Sequence, residues 1–88
     1  GPWGQGFAEP LFDDRFEVLS SRIVGERHWK LVVRPVSGDQ AIDAIAFNAI
    51  DDIPVMPETI RAAYRLDENE WQGQVSLQLR LEYLEAAG

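Results

Sequence analysis

Between Arg15 and Arg34 the sequence places Arg15, Arg22, Arg27, Lys30 and Arg34 against only two carboxylates, Glu17 and Glu26. Cations grouped in this way attract phosphate. Rings beside them, here Phe47 and Trp71, offer faces on which bases stack, at about 1–3 kcal/mol per base. The opposite composition follows: Asp39, Asp43, Asp51, Asp52 and Glu58 occupy 39–58 with no basic residue. Polyanion binding therefore needs one cationic face on a chain whose net charge is −7. Such a face can persist, because salt screens each charge beyond about 8–10 Å. On charge alone, a solvated surface with chance clustering is the preferred reading.

Other chemistries lack their residues. There is no cysteine, so disulfides and thiolate metal sites are excluded. A single histidine and no serine in an elbow setting leave nothing for nucleophilic catalysis. The acids occur as neighbours, Asp51-Asp52 and Asp67-Glu68, and neighbours on a strand point to opposite faces. No metal-ligand spacing occurs, and the glycines of residues 1–6 lack the lysine of a phosphate loop. The expectation is a binding module that is not itself an enzyme and carries no cofactor. No apolar run approaches a membrane span of about 20 residues, and the N-terminus has no signal-peptide pattern. A cytoplasmic location is expected.

The elements that would position these side chains are short strands. Residues 1–12 hold three Gly and two Pro beside Trp3, Phe7, Leu11 and Phe12, and read as an extended arm before a domain at 13–88. Residues 16–24 are β-prone, with apolar parity switching between Val18 and Leu19, as a bulge produces. Gly25-Glu26-Arg27 reads as a turn. In 28–36, Trp29, Leu31 and Val33 share one face, and His28, Lys30, Val32 and Arg34 the other. Residues 37–40 turn the chain into a third strand at 41–49, and Pro54 and Pro57 keep 50–59 from forming a long helix. Residues 60–70 carry helical spacing at Ile60, Ala63, Tyr64 and Asp67, yet as a strand they supply the hairpin partner that 75–84 needs. There Val75, Leu77, Leu79, Leu81 and Tyr83 alternate inward, around a turn at 71–74.

Five short strands separated by turns, with the longest link between the third and fourth, predict an all-β, five-stranded Greek-key barrel of OB type, with an SH3-like barrel as competitor. OB-folds take ligand across strands two and three, between the first–second and fourth–fifth loops. That selects Arg22, Arg27, His28, Lys30, Arg34, Phe47, Trp71, Gln78 and Arg80. Trp29 shares parity with Leu31 and Val33 and belongs in the core. Phe47 and Trp71 suit core and stacking roles equally. Arg65 and Arg80 could instead pair with Asp67 and Glu82.

Four blocks carry a resemblance: GPWGQGFAEPLFDDRFEVL, RIVGERHWKL, DAIAFN and YRLDENEWQGQVSLQL. In order and spacing they resemble the C-terminal OB domain of the proteobacterial RecJ family, with a break near 50–60. Trp29 stands where that family commonly has Leu, and Ala8 where Pro is usual. The resemblance implies a metal-dependent 5′–3′ exonuclease of single-stranded DNA, active in recombination and repair, whose Mn- or Mg-bearing nuclease core lies outside this segment. It further implies single-stranded DNA as ligand, through the loops Val24-Gly25-Glu26-Arg27-His28 and Asn69-Glu70-Trp71-Gln72-Gly73. Single-strand binding protein and the nuclease core are the implied protein partners, and a protein-interaction or structural role is the alternative function.

Overall fold

The computed structural model describes residues 11–88. Its five strands are β1 (Phe12–Val24), β2 (His28–Pro35), β3 (Ile42–Ala46), β4 (Thr59–Trp71) and β5 (Gln74–Ala86). They close a barrel in the order β1-β2-β3-β5-β4, the Greek-key arrangement expected of an OB-fold. All neighbouring pairs are antiparallel except β3 with β5. Residues 60–70 are strand, so the helical spacing there is overridden by pairing with β1 and β5. Among the described residues no helix is long and apolar enough to cross a membrane. Residues 1–10 of the expected arm lie outside the described residues, and Phe12 opens β1.

The core follows from alternation. Phe16, Leu31, Val33 and Ile60 are its largest sealed side chains, joined by Trp29, Leu79 and Leu81. Ala44, Ala46 and Ala62 line the same interior. Their small side chains leave interior volume for the larger ones. Trp29 anchors more than the barrel: its indole N–H donates to the Ile53 carbonyl at 2.9 Å. This ties the 50–58 connection to β2. That connection holds a single helical turn, closed by Ile53 N–H on Ala49 O at 2.9 Å.

Two bulges adjust the alternation. Pairing skips Leu19 between Val18 and Ser20, at the parity switch visible in the sequence. A second irregularity, between Ala63 and Tyr64, skips Glu82 on β5. It corrects the expected inward set: Leu84 packs on the core, while Tyr83 is exposed. Val75 and Leu77 are exposed as well. The reason is length. β1 pairs with β4 only over Phe12–Glu17, and β3 with β5 only over Gln78–Arg80. The β4–β5 hairpin beyond Gln78 therefore extends past the barrel wall as a two-stranded arm. β3 is also shorter than expected. Asn48 takes a left-handed φ of 55°, which ends the pleat after Ala46.

Candidate nucleic-acid interface

The outer wall is ordered by strand register. Inward Trp29, Leu31 and Val33 on β2 leave Lys30 and its neighbours facing out. Arg22 pairs with Lys30, Lys30 with Ile45, Ile45 with Arg80, and Arg80 with Arg65. One row running across all five strands thus reads Arg22, Lys30, Ile45, Arg80, Arg65. Adjacent strands lie about 4.8 Å apart, so a row of this kind spans roughly the width of a few nucleotides. The next row reads Ser20, Val32, Asp43, Gln78 and Asp67. On the other side His28 is followed by Phe47, whose ring meets the imidazole edge-on at 5.2 Å between centroids.

The cations of the row are not equivalent. Arg22 and Lys30 make no ion pair with any described residue. Arg65 is 8% exposed, and its Nε lies 2.7 Å from Glu82 Oε1. The same carboxylate oxygen is 3.5 Å from Arg80 Nε, and Asp67 Oδ2 is 3.7 Å from it. The β5 bulge is what brings Glu82 to this position, one carboxylate between two guanidiniums. The paired reading of Arg65 and Arg80 therefore holds for these two residues. Arg34 is also paired, to Glu17 at 2.9 Å. Lying four residues along the strand from Lys30, it is about 13 Å away.

Loops set the remaining candidates. Arg27 belongs to the β1–β2 turn, where Gly25 and Glu26 both have left-handed φ, 60° and 65°. Its carbonyl accepts from Ala49 and Ile50 N–H. Arg27 lines a cleft with Glu26, Asn48, Ile50 and Asp51, off the Lys30 row and among carboxylates. His28 Nδ1 accepts the Asn48 N–H at 2.9 Å, so the imidazole holds the 47–50 turn as well as the Phe47 ring. Phe47 is 52% exposed and Trp71 is 74% exposed, whereas Trp29 is 6% exposed. The first two are open ring faces and the third is core. Trp71 closes the hairpin arm, whose turn needs left-handed φ at Gln72 and Gly73, 50° and 80°. It shares the outer side of that arm with Asn69, Ser76 and Gln78. Asn69 also donates to the Gln78 amide oxygen at 3.2 Å.

The structure thus places Arg22, Lys30, Gln78 and Arg80 in adjacent rows on the outer surface of consecutively paired strands, with His28 and Phe47 at the border of those rows and Trp71 on the arm beside them. It leaves Arg27 and Arg34 off the row. Ile45 and Arg65 are the members that the sequence did not single out. Counting back along the hairpin from the Trp71–Gln74 pair would have placed Arg65 opposite Arg80. Ile45 has no such local signal, because only the β2–β3–β5 pairing puts it there. Among the described residues no three His, Cys, Asp or Glu side chains converge to hold a metal ion.

The RecJ OB domain family matches residues 1–83. The single-stranded-DNA-specific exonuclease RecJ of Dickeya dadantii is 48% identical over 88 residues, covering 96% of this chain and 15% of that protein. The RecJ of Escherichia coli is 49% identical over 83 residues, covering 90% of this chain and 14% of its own length. The crystal structure of Thermus thermophilus RecJ in complex with Mg2+ superposes with a TM-score of 0.70 at 25% identity, covering 99% of this chain and 13% of that one. A second structure of the Thermus protein, with Mn2+, superposes equally well. The chain spans about a seventh of the curated relatives it matches. By sequence over nearly its whole length, and by fold, this chain belongs to the RecJ OB domain family.

Proposed function

We propose that this chain is the single-stranded DNA-binding module of a RecJ-type 5′–3′ exonuclease in bacterial recombination and repair. It grips the strand on the outer wall of β2, β3 and β5. The observation that supports this most is the in-register row with two cations, Arg22 and Lys30, that make no ion pair among the described residues. Their phosphate contacts are worth most at low salt, where counterion release drives binding. Phe47 and Trp71 supply ring faces for bases. Stacking is sequence-tolerant because every base has a π-face. Arg27, His28 and Gln78 flank the path and suit secondary contacts. In this reading the domain carries no chemistry, works in the cytoplasm and helps feed the strand to a nuclease core elsewhere in the longer protein. Mg2+ or Mn2+ would act in that core, as in the Thermus RecJ complexes.

The test is titration of the 88-residue chain with a labelled single-stranded oligonucleotide of about 12–16 nucleotides, within the range of OB-fold sites. Binding at low salt that weakens linearly in log affinity against log salt is the expected result. No binding at low salt would end this reading.

One observation favours a second, compatible role. On the far wall, Leu11, Phe12, Asp13, Ala63 and Tyr83 line an apolar hollow of about 400 Å³. Phe12 and Tyr83 are both exposed there. An open apolar hollow of this kind suits a protein surface, and the nuclease core of the parent protein is the proposed occupant. Single-strand binding protein is the other candidate partner. Replacing Tyr83 by Arg should then loosen the domain's attachment in the full-length protein, read as faster proteolytic release.

A further inference from the structure

The cationic row is interrupted by its own carboxylates, and the two interruptions differ in strength. Arg65 is deeply set, and its contact with Glu82 is short, 2.7 Å. Arg80 is about one-third exposed, and its carboxylate neighbours stand off at 3.5 and 3.7 Å. Its Nε is shielded from solvent yet makes no hydrogen bond. A guanidinium held in this way is attracted but poorly satisfied. Phosphate oxygens in the usual bidentate arrangement would satisfy it better.

We infer that Asp67 and Glu82 are an internal stand-in for backbone phosphate, holding Arg80 in reserve until a single strand displaces Asp67 from it. This rests on the DNA-binding reading above and adds a regulator to the same wall. Arg80 lies in register with Ile45 and, through it, with Lys30, so a strand seated on Lys30 runs directly toward it. Asp67 is the carboxylate that yields. Its one ion pair among the described residues, with Arg80, is long, and it sits on the next row beside Gln78. Glu82 stays, because it also serves Arg65. Affinity is thereby held down at the β4–β5 end of the wall, and a strand must span from Lys30 to Arg80 to recruit the extra contact. Short oligonucleotides that reach only the β1–β2 end gain nothing from it.

The experiment is a salt-dependent titration of the 88-residue chain with the labelled oligonucleotide, comparing wild type, Asp67→Asn, Arg80→Ala and the double variant. Thermal unfolding of each reports folding. Asp39→Asn, on the β2–β3 turn away from the row, makes the same change of net charge. Asp67→Asn should bind about five- to tenfold more tightly at 50 mM salt and steepen the log–log salt slope by about 0.7, the value for one added phosphate on a single strand. Arg80→Ala should abolish that gain, and should cost less in the wild type than in the Asp67→Asn background. An unchanged or weaker Asp67→Asn overturns the inference. So does a gain that survives Arg80→Ala, or one that Asp39→Asn reproduces. If Arg22→Ala and Lys30→Ala still weaken binding in that outcome, only the inference falls. If no form binds at all, the DNA-binding reading falls with it.

Discussion

The two sides of the wall divide the work in opposite ways. On the β1–β2 side the tryptophan is inside and the row's cations make no ion pair with any described residue: Trp29 is sealed in the core beside Lys30 and Arg22. On the β4–β5 side the tryptophan is outside and the cations are tied: Trp71 stands at the arm's end, while Arg65 and Arg80 share Glu82. Ring and charge are thus never both committed to the same task on one side. The difference follows from support. β2 is flanked by paired strands along its length, so a large ring can be buried there. The arm of β4–β5 beyond Gln78 has no third strand, so it can bury nothing and can only present.

The largest effect should separate the two tryptophans. Trp29→Ala removes a buried indole and its bond to Ile53, and should cost about 3–5 kcal/mol of stability by denaturant unfolding. Trp71→Ala should leave the unfolding midpoint unchanged and cost about 1–3 kcal/mol of single-strand affinity. If both variants behaved alike, the contrast between the sides would be lost.

The next effect sharpens the charge side. Joint replacement of Arg22 and Lys30 by Ala should weaken binding about tenfold or more at low salt and flatten the salt slope by about 1.4, two single-strand phosphates. Folding should be intact, since neither residue makes an ion pair with a described residue. Glu82→Gln should lower stability by about 1–2 kcal/mol in thermal unfolding, because it weakens the ion pair of a nearly buried guanidinium. The smallest effect belongs to Arg34. Its pair with Glu17 is solvent-exposed on both partners, so Arg34→Ala should change stability by about 0–1 kcal/mol and affinity hardly at all.

What the sequence carried was local. The parity switch at Val18-Leu19 announced its bulge because apolar residues sat on both sides of it. The bulge at Glu82 was silent. Leu79, Leu81 and Tyr83 keep perfect alternation through it, and only pairing with β4 reveals that Leu84 takes the inward place. The shortness of β3 was hidden for a similar reason, since Ala41 to Ala49 alternates past the residue where Asn48 turns left-handed. For the wall, proximity in the chain suggested Arg27, Lys30 and Arg34. Yet four residues along a strand is a longer step than two strands across it. Register, which is non-local, sets Lys30 beside Arg22 and Ile45, and nothing in the order of residues along β2 specifies it.

In the proposed binding mode a single strand lies across the outer wall from Arg22 and Lys30 to Arg80, with Trp71 beside it. Titration of the isotopically labelled chain with a single-stranded oligonucleotide, followed by amide and indole chemical shifts, tests it most directly. Shifts are expected at Arg22, Lys30, Ile45, Gln78, Arg80 and the Trp71 indole, with Asp13 and Arg61 silent. Shifts confined to Asp13 and Arg61, with the Lys30 row unmoved, would rule this placement out.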